Sequence, residues 1–320
     1  MATLTLKPKA VQSGPRIEWG RIGVYAVLTI GALVAVAPFF YMVTTSLKTY
    51  GSVINNNMWP WWPVGAETIQ WNNYPEAIKT IGIDKQGSQF MQQVQASLNL
   101  DPQTKWQLAL FFRYAFNSVF VTLATVFGVL ATSTLAAYAF AQMDIPFKNY
   151  LFLLLLATIM IPGDLTLVPK VVMMFQWKWY NTYLALIVPF LSSVFGIFLL
   201  RQFFMQIPKD LFDAALIDGS GHLRYLTTIV MPLSKPALVS VGLMNFIWTW
   251  DSFKWPLLVT RDSSMRVLAV GLQQFLAGEG GTKVQLMMAF SAMVVVPVIV
   301  FYFFTQKYFT EGITTTGIKG

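Results

Sequence analysis

Few side chains in this sequence could do chemistry, and their types exclude more than they permit. His222 is the only histidine and there is no cysteine. A transition-metal site therefore lacks its usual ligands, and thiol chemistry and disulfide scaffolds are ruled out. No G-x-x-x-x-G-K-[ST] phosphate loop occurs, so the chain is not expected to hydrolyse ATP itself. Gly278-Glu279-Gly280-Gly281 lacks the Gly-Lys-[ST] ending of such a loop and reads as a turn. No carboxylate pair is set inside an apolar segment, and no catalytic residue is expected. Asp164 and Asp251 fall near the ends of apolar segments, where a charge is solvated or paired more cheaply than at the bilayer midplane. Asp251 and Lys254, three apart, could pair on one helical face. With Asn245, the two aspartates are candidates for a polar path or an interface; interfacial anchoring is the plainer reading of both. His222 reads as a solvated loop residue.

One constellation has spacing that means something: Asp213-Ala214-Ala215, then Gly219, then Ile229-Val230-Met231-Pro232. Its chemistry is that of docking. Pro208 presets the first turn of a short helix, and Asp210 can cap its exposed amides. Ala214 and Ala215 offer a nearly flat face that a partner could approach closely. Gly219 permits the left-handed backbone that ends the helix. Pro232 then starts or kinks a helix leading back. An ordinary amphipathic interfacial helix is the plainer alternative.

The elements that must hold these residues are apolar. Of 320 residues 55% are hydrophobic and only 11% charged, against about 25% charged in ordinary globular proteins. Six segments are long and apolar enough to cross a bilayer, roughly 22–44, 114–140, 150–169, 183–200, 237–257 and 285–305. The run from Ile22 to about Val43 is too long for a signal-peptide core, so a retained first span is expected. Ala124, Gly128, Thr132 and Ala136 fall four apart and form a small-residue face for close packing. Pro162 and Pro169 are expected to interrupt the third segment and Pro189 the fourth. The polar stretch 45–113 is expected to form a small cap, with a short amphipathic helix near 86–111. Lys7, Lys9, Arg16 and Arg21 crowd the N-terminus, whereas Lys48 alone follows in the thirty residues after the first apolar run. That asymmetry places both termini in the cytoplasm. The net charge of +8 is scattered in ones and twos, which fits topology rather than nucleic-acid binding.

The loop resembles the signature of importer-type ABC permeases, which usually begins Glu-Ala-Ala and ends Ile-x-Leu-Pro; Asp213 and Met231 are conservative departures. Asn117-Ser118, Ala136 to Phe140, Ile161-Pro162-Gly163, Asn181 to Ala185, Phe198 to Phe204 and the tail from Gln306 to Gly320 are similar to the carbohydrate-importing branch. Within it they resemble permeases of the maltose-transporter type that carry a C-terminal tail. The resemblance covers about 110–320 and the first span, and 75–110 is longer than usual. It implies an all-α membrane protein with six transmembrane helices of the type I ABC importer permease fold, N-in and C-in, in the cell inner (plasma) membrane. The division would be a cytoplasmic tail 1–21, a first helix 22–44, an extracytoplasmic loop or cap 45–113, a core 114–305 with a cytoplasmic coupling loop 201–235, and a tail 306–320. It further implies that Asp213, Ala214, Ala215, Gly219, Ile229 and Pro232 couple to an ATPase. This chain would bind no cofactor, ATP and Mg being held by two partner ATPase subunits. A second homologous permease, an extracytoplasmic solute-binding protein and a sugar substrate complete the expected set, with the lipid bilayer as surroundings and no nucleic acid. Polyols, glycerol phosphodiesters and compatible solutes are alternative cargoes, and a non-transporting scaffold is the alternative of a different class.

Overall fold

The computed structural model describes residues 19–55, 69–80, 102–275 and 283–314, and among them there is no β-strand. The first helix, α1 (Trp19–Ser46), contains Pro38 and is apolar almost throughout. Val27, Leu33 and Phe39 stand exposed along it, as expected of a helix that faces lipid or another subunit. Its end is buried and tied down. Two short helices, α2 (Tyr50–Ile54) and α3 (Asn73–Thr80), follow. Buried Asn73 donates through Nδ2 to the carbonyls of Ser46 (2.7 Å) and Lys48 (2.9 Å). These are the acceptors that a helix end leaves without partners. Ala77 of α3 joins the core, and α3 packs against two of the long helices that follow it in the chain. Trp59, Trp61, Trp62 and residues 81–101 lie outside the described residues.

The central element is α4 (Pro102–Gln142), 41 residues long. Proline at its first position costs no hydrogen bond. The helix begins well before the expected 114, and residues 102–111 are its first turns rather than part of a separate amphipathic helix. At about 1.5 Å per residue it is roughly 60 Å long, twice a bilayer's apolar thickness. One end must therefore project from the apolar layer.

Beyond α4 the apolar segments are broken. The third consists of α5 (Lys148–Ala157) and α6 (Leu167–Gln176), with 3₁₀ turns at 158–160 and 163–166 and a bend of 88° between the two arms. The break is at Pro162: Ile161 before it is extended, as a residue preceding proline prefers. Pro169, expected to interrupt as well, lies in the first turn of α6, where its missing N–H is not needed. The fourth pairs α7 (Tyr183–Ile187) with α8 (Val194–Phe204), bent by 41° just after Pro189. Ser193 restarts it by accepting from the Gly196 amide at 3.1 Å.

The remaining helices are α9 (Lys209–Ile217), α10 (His222–Tyr225), α11 (Met231–Leu233), α12 (Lys235–Trp250), α13 (Lys254–Val259), α14 (Leu268–Gly271) and α15 (Val284–Thr314). Three described helices are long and apolar enough to cross a membrane; three bent pairs meet the same test together. In the core, α4 packs between α8 and α12, and α15 packs along α1 and α12. The small-residue face on α4 is used where expected. Thr132 Oγ1 donates to the Leu191 carbonyl at 2.6 Å, satisfying an acceptor freed by the break in the fourth segment. A Cβ added at Gly128 would stand 2.2 Å from Leu191 Cδ2.

Candidate functional site

Two places among the described residues are candidates for a functional site. The first is the loop between α8 and α12. Pro208 is the N-cap of α9 and stands just ahead of the first turn, and no side chain hydrogen-bonds there. Asp210 thus contributes charge near the helix N-terminus and makes no capping bond. At the other end the sequence expectation is met in detail. Gly219 has φ +74°, its amide donates to the Leu216 carbonyl (3.0 Å), and the Ser220 amide donates to that of Ala215 (2.8 Å). This is the paired hydrogen bonding of a left-handed helix stop.

The faces of α9 differ from the expected arrangement. Asp213 and Ala214 are exposed and Ile217 is 87% exposed, but Ala215 is only 6% exposed and belongs to the core cluster that contains Phe204, Tyr225 and Leu226. A small residue is required at 215 because the helix lies close on its own core, so Ala215 does not form part of the open face. Exposed Leu216, Ile217 and Leu223 are the apolar positions that the spacing argument missed; an outward-facing aliphatic pair beside the glycine was the available signal. Ile229 is partly buried within a π-helical turn, Leu226–Val230, and Pro232 is exposed in α11. The chain then bends by 83° at Ser234, between α11 and α12. His222 is exposed at its surface yet bonded to the core: Nδ1 lies 2.8 Å from Tyr138 Oη.

The second place is a cavity of about 270 Å³ bordered by α4, α7, the fourth-segment break and the end of α12. It is lined by Ser118, Thr122, Ser192, Asn245, Thr249 and Ser252 together with Trp248, Trp250 and Trp255. Trp248 is 80% exposed. Thr125 lines the same wall, and its buried hydroxyl has no hydrogen-bond partner among the described residues. Asn245 uses its amide on the Val241 carbonyl (2.8 Å), leaving its side-chain oxygen for the cavity.

Asp164 lies in an adjoining vestibule of about 480 Å³ that shares Phe190, Ser252 and Trp255 with the cavity. It pairs with Lys254 at 3.2 Å. The suggested Asp251–Lys254 pairing on one helix face does not apply, because α12 ends at Trp250 and Asp251 and Lys254 belong to no common helix. Asp251 instead borders a separate apolar groove against α15. The three candidate path residues thus occupy three different settings, and only Asn245 lines the cavity.

The resemblance residues Asn117, Ser118 and Asn181 have plain structural duties near this site. Asn117, 0% exposed, donates to the carbonyls of Ser264 and Arg266 (both 2.8 Å) and accepts from Tyr183 Oη (2.6 Å). Ser118 Oγ accepts from the Leu268 amide at 2.8 Å. Asn181, at φ 61°, accepts from the amides of Arg261 and Asp262. Together they tie the segment 261–268 against the side of α4 and the start of α7.

Bent apolar helices, a structured loop between α8 and α12 and a cavity with polar lining suit a membrane permease. The chain belongs to the family described as binding-protein-dependent transport system inner membrane component, whose pattern matches residues 124–315. It is 33% identical over 214 residues to the arabinooligosaccharides transport system permease protein AraQ of Halalkalibacterium halodurans, covering 67% of this chain and 76% of that one. It is 32% identical over 295 residues to a putative ABC transporter permease of Caldicellulosiruptor, covering 92% and 95%. The sn-glycerol-3-phosphate transport system permease protein UgpE of Yersinia enterocolitica is 32% identical over 199 residues, covering 62% and 71%. A bacterial ABC transporter involved in the import of the acidic polysaccharide alginate superposes with a TM-score of 0.71 at 22% identity, covering 95% of this chain and all of that one; this likeness shows the fold. The chain is accordingly the permease subunit of an ABC importer, and ATPase activity resides in partner subunits of the transporter.

Proposed function

We propose that this chain is one of two homologous permeases of an ATP-driven sugar importer in the cell inner membrane, crossing it six times with both termini inside. The observation that carries the sugar reading is the cavity wall. Hydroxyl and amide side chains beside tryptophan rings supply the two contacts a saccharide uses, hydrogen bonds to its hydroxyls and apolar packing on its C–H faces. The relative named for arabinooligosaccharides supports the same reading. The loop between α8 and α12 is the docking point for an ATPase subunit through Asp213, Ala214 and Ile217, shaped by Gly219, Ile229 and Pro232 and backed from inside by Ala215. Two such ATPase subunits hold ATP and Mg, and an extracytoplasmic solute-binding protein delivers the sugar.

A second reading, an anionic glycerol phosphate as cargo, is supported by Lys170 at the vestibule and by the UgpE relative. The test is uptake by the complete transporter with its binding protein in proteoliposomes, offering neutral oligosaccharides and sn-glycerol 3-phosphate separately. Saccharide uptake that falls on Trp248→Ala and Asn245→Ala supports the first reading; transport of the phosphate ester alone replaces it with the second.

A further inference from the structure

The contacts around His222 reach beyond satisfying a loop residue. Its ring lies 5.0 Å from that of Phe212 at an interplanar angle of 23°, and its Nδ1 is 2.8 Å from Tyr138 Oη. Phe212 also meets Tyr225 edge-on at 5.0 Å, and Tyr225 leans on Tyr138 at 6.3 Å. Tyr225 is fully buried and Tyr138 nearly so. Three elements therefore meet in one aromatic cluster. Phe212 comes from α9, His222 and Tyr225 from α10, and Tyr138 from the last turns of α4.

The backbone offers no comparably stiff route between α9 and α4. Before α9 the chain leaves helical conformation at 205–208; after it, Asp218 and Gly219 form a turn and Ser220 and Gly221 lie in no helix. Rigid elements carry displacement, and turns absorb it. The far side of the cluster, by contrast, is braced. Gln142 Nε2 donates to the Phe204 carbonyl (2.6 Å) and Arg201 Nε to that of Phe140 (3.2 Å). The Arg201 guanidinium also stands 4.1 Å from the centre of the Phe152 ring. A push on α4 here thus moves α5 and α8 with it.

We infer that Phe212, His222 and Tyr138 form a pin that transmits movement of α9 into α4, with the His222–Tyr138 hydrogen bond giving it direction. The residues are positioning residues for transport. The inference rests on reading α9 as the ATPase docking helix. A bond this short between an exposed imidazole and a nearly buried phenol resists sliding in a way that ring packing alone does not.

The experiment uses the complete transporter in proteoliposomes and reads the sugar taken up per ATP hydrolysed, with retention of the ATPase subunits on the purified permease as assembly control. Tyr138→Phe and His222→Phe each keep the rings and remove the bond. Each is expected to lower uptake per ATP about threefold to tenfold, the range one hydrogen bond carries, while ATPase subunits stay bound. His222→Gln, which retains a hydrogen-bonding partner for the phenol, should return most of the ratio. The double variant Tyr138→Phe/His222→Phe leaves no polar atom orphaned. Recovery of the wild-type ratio in that variant would mean the bond only satisfies a buried hydroxyl, and the inference falls. An unchanged ratio in both single variants overturns it equally. Should Tyr138→Phe not assemble, His222→Phe, altered only at an exposed position, decides alone. If Ile217→Arg complexes keep their ATPase subunits and their coupling, the docking reading itself is wrong and the pin falls with it; loss of the ATPase there with an unchanged ratio in the single variants overturns the pin alone.

Discussion

At Gly219 the left-handed backbone stands in open space: a Cβ added there meets nothing within 4 Å. The cost of another residue is therefore conformational, about 1–2 kcal/mol for a β-branched side chain, and involves no clash. Gly219→Val should loosen the helix stop, and the Ser220 amide that now bonds to Ala215 should exchange its hydrogen about 5- to 30-fold faster. Hydrogen-exchange mass spectrometry on the purified protein checks this. Gly219→Asn, which tolerates positive φ, should show a smaller change. Ala215 behaves differently because it faces its own core. Ala215→Glu would bury a carboxylate among Phe204, Tyr225 and Leu226, a group that has no paired cation there and costs several kcal/mol. The expected outcome is loss of folded, membrane-extracted protein, measured by size-exclusion yield. Ala214→Glu, on the exposed side of the same turn, should leave that yield unchanged.

Among the elements, α4 organises the rest, and it does so with polar groups as much as apolar ones. Asn117 holds two carbonyls of the 264–266 segment and the Tyr183 hydroxyl, and Arg113 Nε shares the Ser264 carbonyl at 3.0 Å. Asn117→Leu removes three hydrogen bonds, about 1 kcal/mol each, and leaves Arg113 Nε as the remaining side-chain donor to the Ser264 carbonyl, at 3.0 Å. The segment 261–268 should then detach from α4 and α7 while the bundle persists. Faster tryptic cleavage after Arg261 and Arg266 in detergent is the expected result, with cleavage elsewhere unchanged. Helix contact sets a further limit at Gly196, where a Cβ would stand 3.0 Å from Val241 Cγ1 and 3.2 Å from Ser133 Oγ. Here α4, α8 and α12 meet with no room for a larger residue.

For the molecule as a whole, the exposed apolar surface is the informative quantity. Met160 is 84% exposed at the 88° break, and Ile161, Leu165 and Val168 beside it are exposed too. A bent segment in a membrane leaves backbone groups that lipid cannot satisfy, so such a break is expected to be covered by protein or to line a cavity. This chain with its ATPase but without a second permease should accordingly give no sugar uptake in proteoliposomes; uptake at wild-type rate would refute the two-permease reading. The proposed topology is testable on a clean background, since the native chain has no cysteine. A membrane-impermeant maleimide should label Asn72→Cys in intact spheroplasts and Ile217→Cys only after permeabilisation. Labelling of both from one side would overturn it.

Much of this was determined by the sequence. The apolar segments, the glycine stop at 219, the small-residue face of α4 and the break at Pro162 all follow from local rules: hydropathy, backbone freedom and a missing N–H act through the residue itself or its neighbours in the chain. The tertiary structure decided what local rules cannot reach. It turned Ala215 inward, because burial depends on what the rest of the fold places opposite a side chain. It gave Lys254 to Asp164 across ninety positions in place of Asp251, because an ended helix separates residues that spacing alone would align. It brought the lone His222, which in sequence has no partner, to a phenol eighty-four positions away. Contacts between distant segments are set by packing, and the sequence displays the packing residues without displaying which of them meet.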